Sequence, residues 1–270
     1  MSEHIVGMMW NKNEGDILDD VITSALKHVD TLVIADDGST DNSWEIMQGF
    51  NDRYPEIEHI QRNPSKGDPA QRQQLLDVIR DRYRAEDTWV QLIESDIMIL
   101  DTDVRTAIKE RHNNDTYVEW SLINAVISPK ETWEGKDDYP NWKKPIQEIL
   151  TWGHWIENMT YTFRPHSKLY YDPSPWRPWP KGFSHYGVKK QPVLNTYTPL
   201  LAHYGYRGPT HIQQKFLPKG THHKKYTTWD FTSTQSVLDT VYFYNGVWNH
   251  DAHIMSRRGY MTRKGRNYGE

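Results

Sequence analysis

Four short strand-like runs, residues 5–10, 31–35, 57–60 and 89–93, the first, second and fourth of them largely apolar, alternate with stretches of helical periodicity and limit what this chain can fold into. Runs of this length that do not alternate polar with apolar fit strands buried on both faces, as in a parallel sheet. Between them, residues 16–28 carry Ile17, Val21, Ile22, Ala25 and Leu26 at helical spacing, and residues 70–84 carry Leu75, Leu76, Ile79 and Tyr83 on one face. Asn42 and Glu45 have the spacing of a capping box for a further helix reaching Phe50. Strand and helix in strict alternation predict right-handed βαβ units, so the fold class is α/β: a mostly parallel central sheet flanked by helices.

Past Asp103 the pattern loosens. A helix to His112 and a strand over residues 117–127 are followed by Trp- and Pro-rich sequence. The prolines of residues 172–180 remove backbone donors and fix φ, which leaves a long loop as the reading. We therefore expect one domain with two halves: residues 1–115 as the regular half, and residues 116–270 as a loop-rich half ending in a basic tail (Arg257, Arg258, Arg263, Lys264, Arg266).

Composition excludes several classes. A quarter of the residues are charged and mean hydropathy is -0.85, and no apolar run is long enough to span a bilayer. The first residues lack a signal-peptide pattern, so the expected address is cytoplasmic, with no transmembrane segment. Without a single cysteine there is neither a disulfide framework nor a thiolate metal site. Any metal must rely on carboxylate, imidazole and water, the ligands of hard divalent cations. No basic stripe with interleaved aromatics marks a nucleic-acid surface.

In an open α/β sheet, ligands bind outside the carboxyl ends of the strands, and there this sequence gathers its polar groups. Asp36-Asp37-Gly38-Ser39 follows the second run; a carboxylate there can accept from the N3–H of a uracil or a comparable base edge, or the segment is a capped strand-to-helix turn. Glu94-Ser95-Asp96 follows the fourth run and would place two carboxylates on one side of an extended segment. Such a pair can hold Mg²⁺ or Mn²⁺ against diphosphate oxygens.

Val6-Gly-Met-Met-Trp-Asn-Lys-Asn-Glu14, Val33-Ile-Ala-Asp-Asp-Gly-Ser-Thr-Asp41, Gly67 through Ala70-Gln-Arg72, and Leu92-Ile-Glu-Ser-Asp96 occur in the order and spacing of family 2 glycosyltransferases. The first hundred residues resemble that family, which implies a GT-A (Rossmann-like) fold and transfer of a sugar from a nucleotide-diphosphate donor, UDP-sugar favoured, to a glycan or other hydroxyl acceptor. The resemblance implies that Trp10 and Asp37 hold the base with Asp36 as neighbour, and that Arg72 contacts the nucleotide. Glu94 and Asp96 match the acid-x-acid motif, Asp96 being the metal ligand, with glutamate where the family usually has its first aspartate.

The second half is similar to the family in Tyr161-Thr-Phe-Arg-Pro165 followed by Ser184-His185-Tyr186, although Tyr186 stands where small members place an acid. Inversion at the anomeric carbon, general in the family, needs a base, for which Glu157, Asp172 and His185 are the candidates. Enzymes of this fold often add a C-terminal histidine to the metal; His203 fits that place, with His222 and His223 as alternatives. Arg207 and Lys215 could reach the diphosphate. Trp176 and Trp179, or Trp152 and Trp155, could face a sugar on the acceptor side. Two other readings compete. A sugar-nucleotidyltransferase should carry a Gly-rich phosphate loop after the first strand, where this chain has Trp10-Asn-Lys-Asn-Glu14. A non-catalytic carbohydrate- or nucleotide-binding protein on the same fold would account for the missing acid after His185.

Overall fold

The computed structural model describes residues 3–63, 68–99, 103–110, 116–126, 152–153, 158–171, 180 and 200–206. The elements in chain order are β1 (His4–Asn11), α1 (Leu18–Ala25), β2 (Thr31–Asp36), α2 (Ser43–Arg53), β3 (Ile57–Arg62), α3 (Asp68–Arg82), β4 (Thr88–Glu94), β5 (Ile97–Ile99), α4 (Val104–Lys109), β6 (Tyr117–Val126), β7 (Trp152–Gly153), β8 (Asn158–Phe163) and β9 (Leu200–Tyr206). The chain divides into two compact units: Met1–Ser121 with Asn158–Pro192 and Thr198–Leu201, and Leu122–Glu157 with Val193–Tyr197 and Ala202–Glu270.

In the first unit the sheet runs β3-β2-β1-β4-β8-β6. Its first four strands are parallel, and β8 lies antiparallel between β4 and β6. The expected α/β architecture is thus present. β1 to β3 build outward on one side, after which the chain returns to place β4 on the other side of β1. The switch point lies between β1 and β4, where sheets of this class form a ligand crevice. Register fixes what reaches it: Trp10 pairs with Ala35 and with Glu94, and Asn11 with Asp36.

The core follows from the apolar runs. Every residue of β2 is buried, as are all of β4 but Glu94. Leu18, Val21, Ile22 and Ala25 of α1 are buried, as are Leu75, Leu76 and Ile79 of α3. The helix expected over residues 16–28 is α-helical only from Leu18 to Ala25, because tighter i→i−3 bonds take over at its ends, Ile17 N–H to Glu14 O and His28 N–H to Ala25 O. The expected capping box of α2 does not form. Asn42 makes no side-chain cap bond; Asp41, one residue earlier, accepts from the Ser43 N–H at 3.0 Å and from the Gly15 N–H at 2.9 Å.

α3 also secures the chain beyond β8. The Arg80 guanidinium donates to the carbonyls of Pro165, His166 and Leu169 at 3.2, 2.6 and 2.6 Å, and Gln73 Oε1 accepts from the Tyr171 N–H at 2.8 Å. In the second unit, the end of β6 pairs antiparallel with β7, Asn124 opposite Gly153 and Ala125 opposite Trp152. Among the described residues, no helix is long and apolar enough to cross a membrane.

Three carbonyls lose their donor together in Arg80→Ala, which should cost about 2 kcal/mol in urea denaturation. Asp77→Ala removes only the exposed 3.4 Å partner of Arg80 and a bond from Gln73, and should cost under about 1 kcal/mol. Equal costs would show that the carbonyl clamp contributes nothing.

Candidate functional site

The loop after β1 is tied to the loop after β2. Asn13, in the left-handed region at φ 55°, donates its N–H to Ser39 Oγ at 2.9 Å and accepts from the Thr40 N–H at 2.7 Å. The Glu14 N–H donates to Ser43 Oγ at 3.1 Å, and Gly38 turns the second loop at φ 70°, a conformation that suits glycine. Two loops joined in this way hold the ends of β1 and β2 as one rigid edge.

On that edge the two aspartates have different work. Asp36, expected beside Asp37 as a donor contact, is wholly buried and occupied with the framework. It accepts from Asn11 Nδ2 at 3.0 Å, from the Ser39 N–H at 3.0 Å and from the Ser39 hydroxyl, and pairs with Arg62 at 3.4 Å. No face of its carboxylate reaches solvent, because as the last residue of an inner strand it points into the layer beneath the turn. Asp37, one residue on, turns the other way and keeps 7% of its side chain exposed. Lys12 Nζ donates to Oδ2 at 2.9 Å, and Gln71 Nε2, from the first turn of α3, donates to Oδ1 at 2.5 Å.

One residue after Gln71, α3 carries a second charged group. Arg72 is 3% exposed, its guanidinium carbon 5.3 Å from the centre of the Trp10 ring and its Nη2 3.4 Å from Glu94 Oε1. An aromatic face and a carboxylate both stabilise a buried cation, so the expected nucleotide-contacting arginine is held at the β1–β4 seam. Glu94 and Asp96 do not share a strand face as expected. β4 ends at Glu94, and Ser95 and Asp96 form the turn to β5, which leaves Asp96 4% exposed and Glu94 more open at 22%.

Tyr161 of β8 is buried against this group. Burial pushes its phenol well above the usual range, the Glu94 charge and then that of Asp96 push it further, and Arg72 opposes them. The hydroxyl therefore keeps its proton at neutral pH and cannot serve as a base there. The sequence suggested no role for Tyr161, Lys12, Gln71 or Arg62, although the first three lie within quoted motifs. A lysine in a loop or a glutamine on a helix shows no partner until strand register is known.

Among the described residues, no three His, Cys, Asp or Glu side chains converge as a complete metal shell. The oxygen chemistry at the turn still fits a hard cation: Glu94 and Asp96 supply carboxylates, and such ions commonly complete their shell with water and phosphate oxygens. His203, expected as a further ligand, lies half-buried in β9 within the second unit. Glu157, Asp172, His185 and Arg207 lie outside the described residues, as do Lys215, His222, His223, Trp155, Trp176 and Trp179.

With this geometry established, the model of the family described as "Glycosyl transferase family 2" matches residues 8–171. The chain belongs to that family. The match takes in Trp10, Asp37, Arg72, Glu94 and Asp96. No curated protein matches this chain. Among solved structures, the mannosyltransferase PcManGT from Pyrobaculum calidifontis, in complex with GDP-Man and Mn²⁺, is 11% identical with a TM-score of 0.36; the alignment covers 48% of this chain and 37% of that one. TarS residues 1–349 from S. aureus, in complex with UDP-GlcNAc, is 14% identical with a TM-score of 0.33, covering 60% of this chain and 45% of that one. The chain thus spans less than half of either.

The division of labour between the aspartates can be measured by denaturation. Asp36→Ala removes a buried acceptor shared by Asn11, the Ser39 amide and hydroxyl and Arg62 and should cost about 3 kcal/mol, whereas Asp37→Ala should cost about 1 kcal/mol. A larger loss at Asp37 would reverse the assignment.

Proposed function

We propose that this glycosyltransferase moves a sugar from a nucleoside-diphosphate donor to a hydroxyl of a glycan or similar acceptor, with inversion, and that it requires Mn²⁺ or Mg²⁺. The observation that carries this reading is the position of Asp37 after β2, the Arg72–Glu94 pair and Asp96 in the turn after β4, at the carboxyl ends of the parallel strands of a family 2 domain. Asp37 takes the ring N–H of the base. Uracil, which the sequence favours, and guanine both present one. Trp10 and Glu94 keep Arg72 oriented, and its charge favours a diphosphate nearby.

Glu94 and Asp96 would hold the cation; when bound, the ion neutralises charge on the leaving diphosphate. Asp96 is the principal ligand in this reading, as the last acid of the acid-x-acid motif. Neutral Tyr161 beside both carboxylates adds no negative charge to the cluster. In this reading residues 116–270 bind the acceptor. The acceptor's proton goes to Glu157, Asp172 or His185.

Calorimetric titration with UDP, GDP and their sugar conjugates, each with and without Mn²⁺, tests donor and metal together. The parent should bind one nucleotide at least about tenfold tighter with Mn²⁺, and Asp96→Asn should lose that gain. Asp37→Ala should weaken binding in both conditions. Equal, metal-independent binding by the parent and Asp96→Asn would overturn the metal assignment, and bound donor without sugar transfer would favour a non-catalytic binding protein.

A further inference from the structure

We infer that the base pocket at Asp37 is built for guanine rather than uracil. The inference rests on the donor site proposed above and follows from counting protons around one buried amide. Gln71 is fully buried. Its Nε2 lies 2.5 Å from Asp37 Oδ1 and 3.0 Å from the Asn63 carbonyl oxygen. A primary amide nitrogen has two protons, and here both have acceptors. Reversing the amide would set its oxygen against a carboxylate and a carbonyl, so its orientation is fixed by chemistry.

What Gln71 has left is its oxygen. Gln71 Oε1 is buried and has no hydrogen-bond partner among the described residues, a costly state that a donor on a ligand would relieve. On the other side of Asp37, Lys12 spends one of its three protons on Oδ2, and its side chain is 43% exposed. On its two sides Asp37, itself an acceptor, is thus flanked by a donor at Lys12 on Oδ2 and by the unpartnered acceptor of Gln71 beyond Oδ1.

The complementary edge reads acceptor, donor, donor. Guanine presents O6, N1–H and the 2-amino group in that order. Uracil presents O4, N3–H and O2, so its O2 would face the Gln71 oxygen, acceptor against acceptor. Cytosine and adenine bring a ring nitrogen acceptor to Asp37 and are disfavoured at the central position. The sequence could count only the single acceptor at Asp37, which does not separate uracil from guanine.

The test uses the full chain and three nucleotides titrated with Mn²⁺ present: GDP, UDP and IDP, the last retaining O6 and N1–H but lacking the 2-amino group. GDP should bind about tenfold or more tighter than UDP and about tenfold tighter than IDP. In Gln71→Leu the ratio of GDP to IDP affinity should fall to near one, with circular dichroism confirming that the variant is folded. The GDP to IDP ratio in the parent needs no variant and decides the matter if Gln71→Leu fails to fold. UDP binding as tightly as GDP, or equal affinities for GDP and IDP, would overturn the guanine assignment and leave the donor site standing. Binding of none of the three would overturn the donor site and this inference with it.

Discussion

β1 sits between two parallel neighbours and is buried on both faces, and the site depends on that placement. Parallel pairing with β2 and β4 leaves no freedom in where the strand ends fall: Trp10 must lie level with Glu94, and Asn11 with Asp36. A one-residue slip would carry every side chain of β1 to the opposite face, and the apolar content of both faces resists it. Gly7 contributes at the strand's middle. A Cβ there would come within 2.8 Å of Leu32 Cδ1 and 2.9 Å of Ile93 Cδ1, so its absence lets side chains of both neighbours close over β1.

From that edge, hydrogen bonding sorts chemically identical groups into different roles. Adjacent carboxylates on an extended chain face opposite ways. Asp36 faces inward, where Asn11, Ser39 and Arg62 satisfy it, and it becomes a structural post for the turn. Asp37 faces the crevice, bracketed by Lys12 and Gln71. The same economy governs Arg72, a buried cation kept in place by the Trp10 ring on one side and Glu94 on the other. Charges compensated in this way can stay dehydrated near a ligand, where their interactions are stronger than in open water.

The clamp from α3 extends this order away from the donor edge. Gln71 and Arg72 at its start serve the crevice, while Gln73 and Arg80 further along hold the chain after β8 through its backbone. One helix thus places donor-side groups and fixes the segment that leads to Asp172. Tyr161, two residues before the end of β8, brings a phenol beside the carboxylates of the β4–β5 turn, and burial keeps it neutral.

Three apolar runs were enough to predict the inner parallel strands β1, β2 and β4, because a strand buried on both faces requires such runs and little else in the first hundred residues supplies them. The spacing of the motifs was enough to point to the family, and the helices of the first half were legible to within a turn. What the sequence left open was decided by pairing across the sheet. Whether Asp36 or Asp37 faces the crevice, whether Glu94 and Asp96 share a face, and which partners Gln71 and Lys12 find all depend on register and on where β4 stops. Local pattern records periodicity along one strand, whereas these contacts join residues 22 to 34 positions apart, and only the folded sheet brings them within hydrogen-bonding distance.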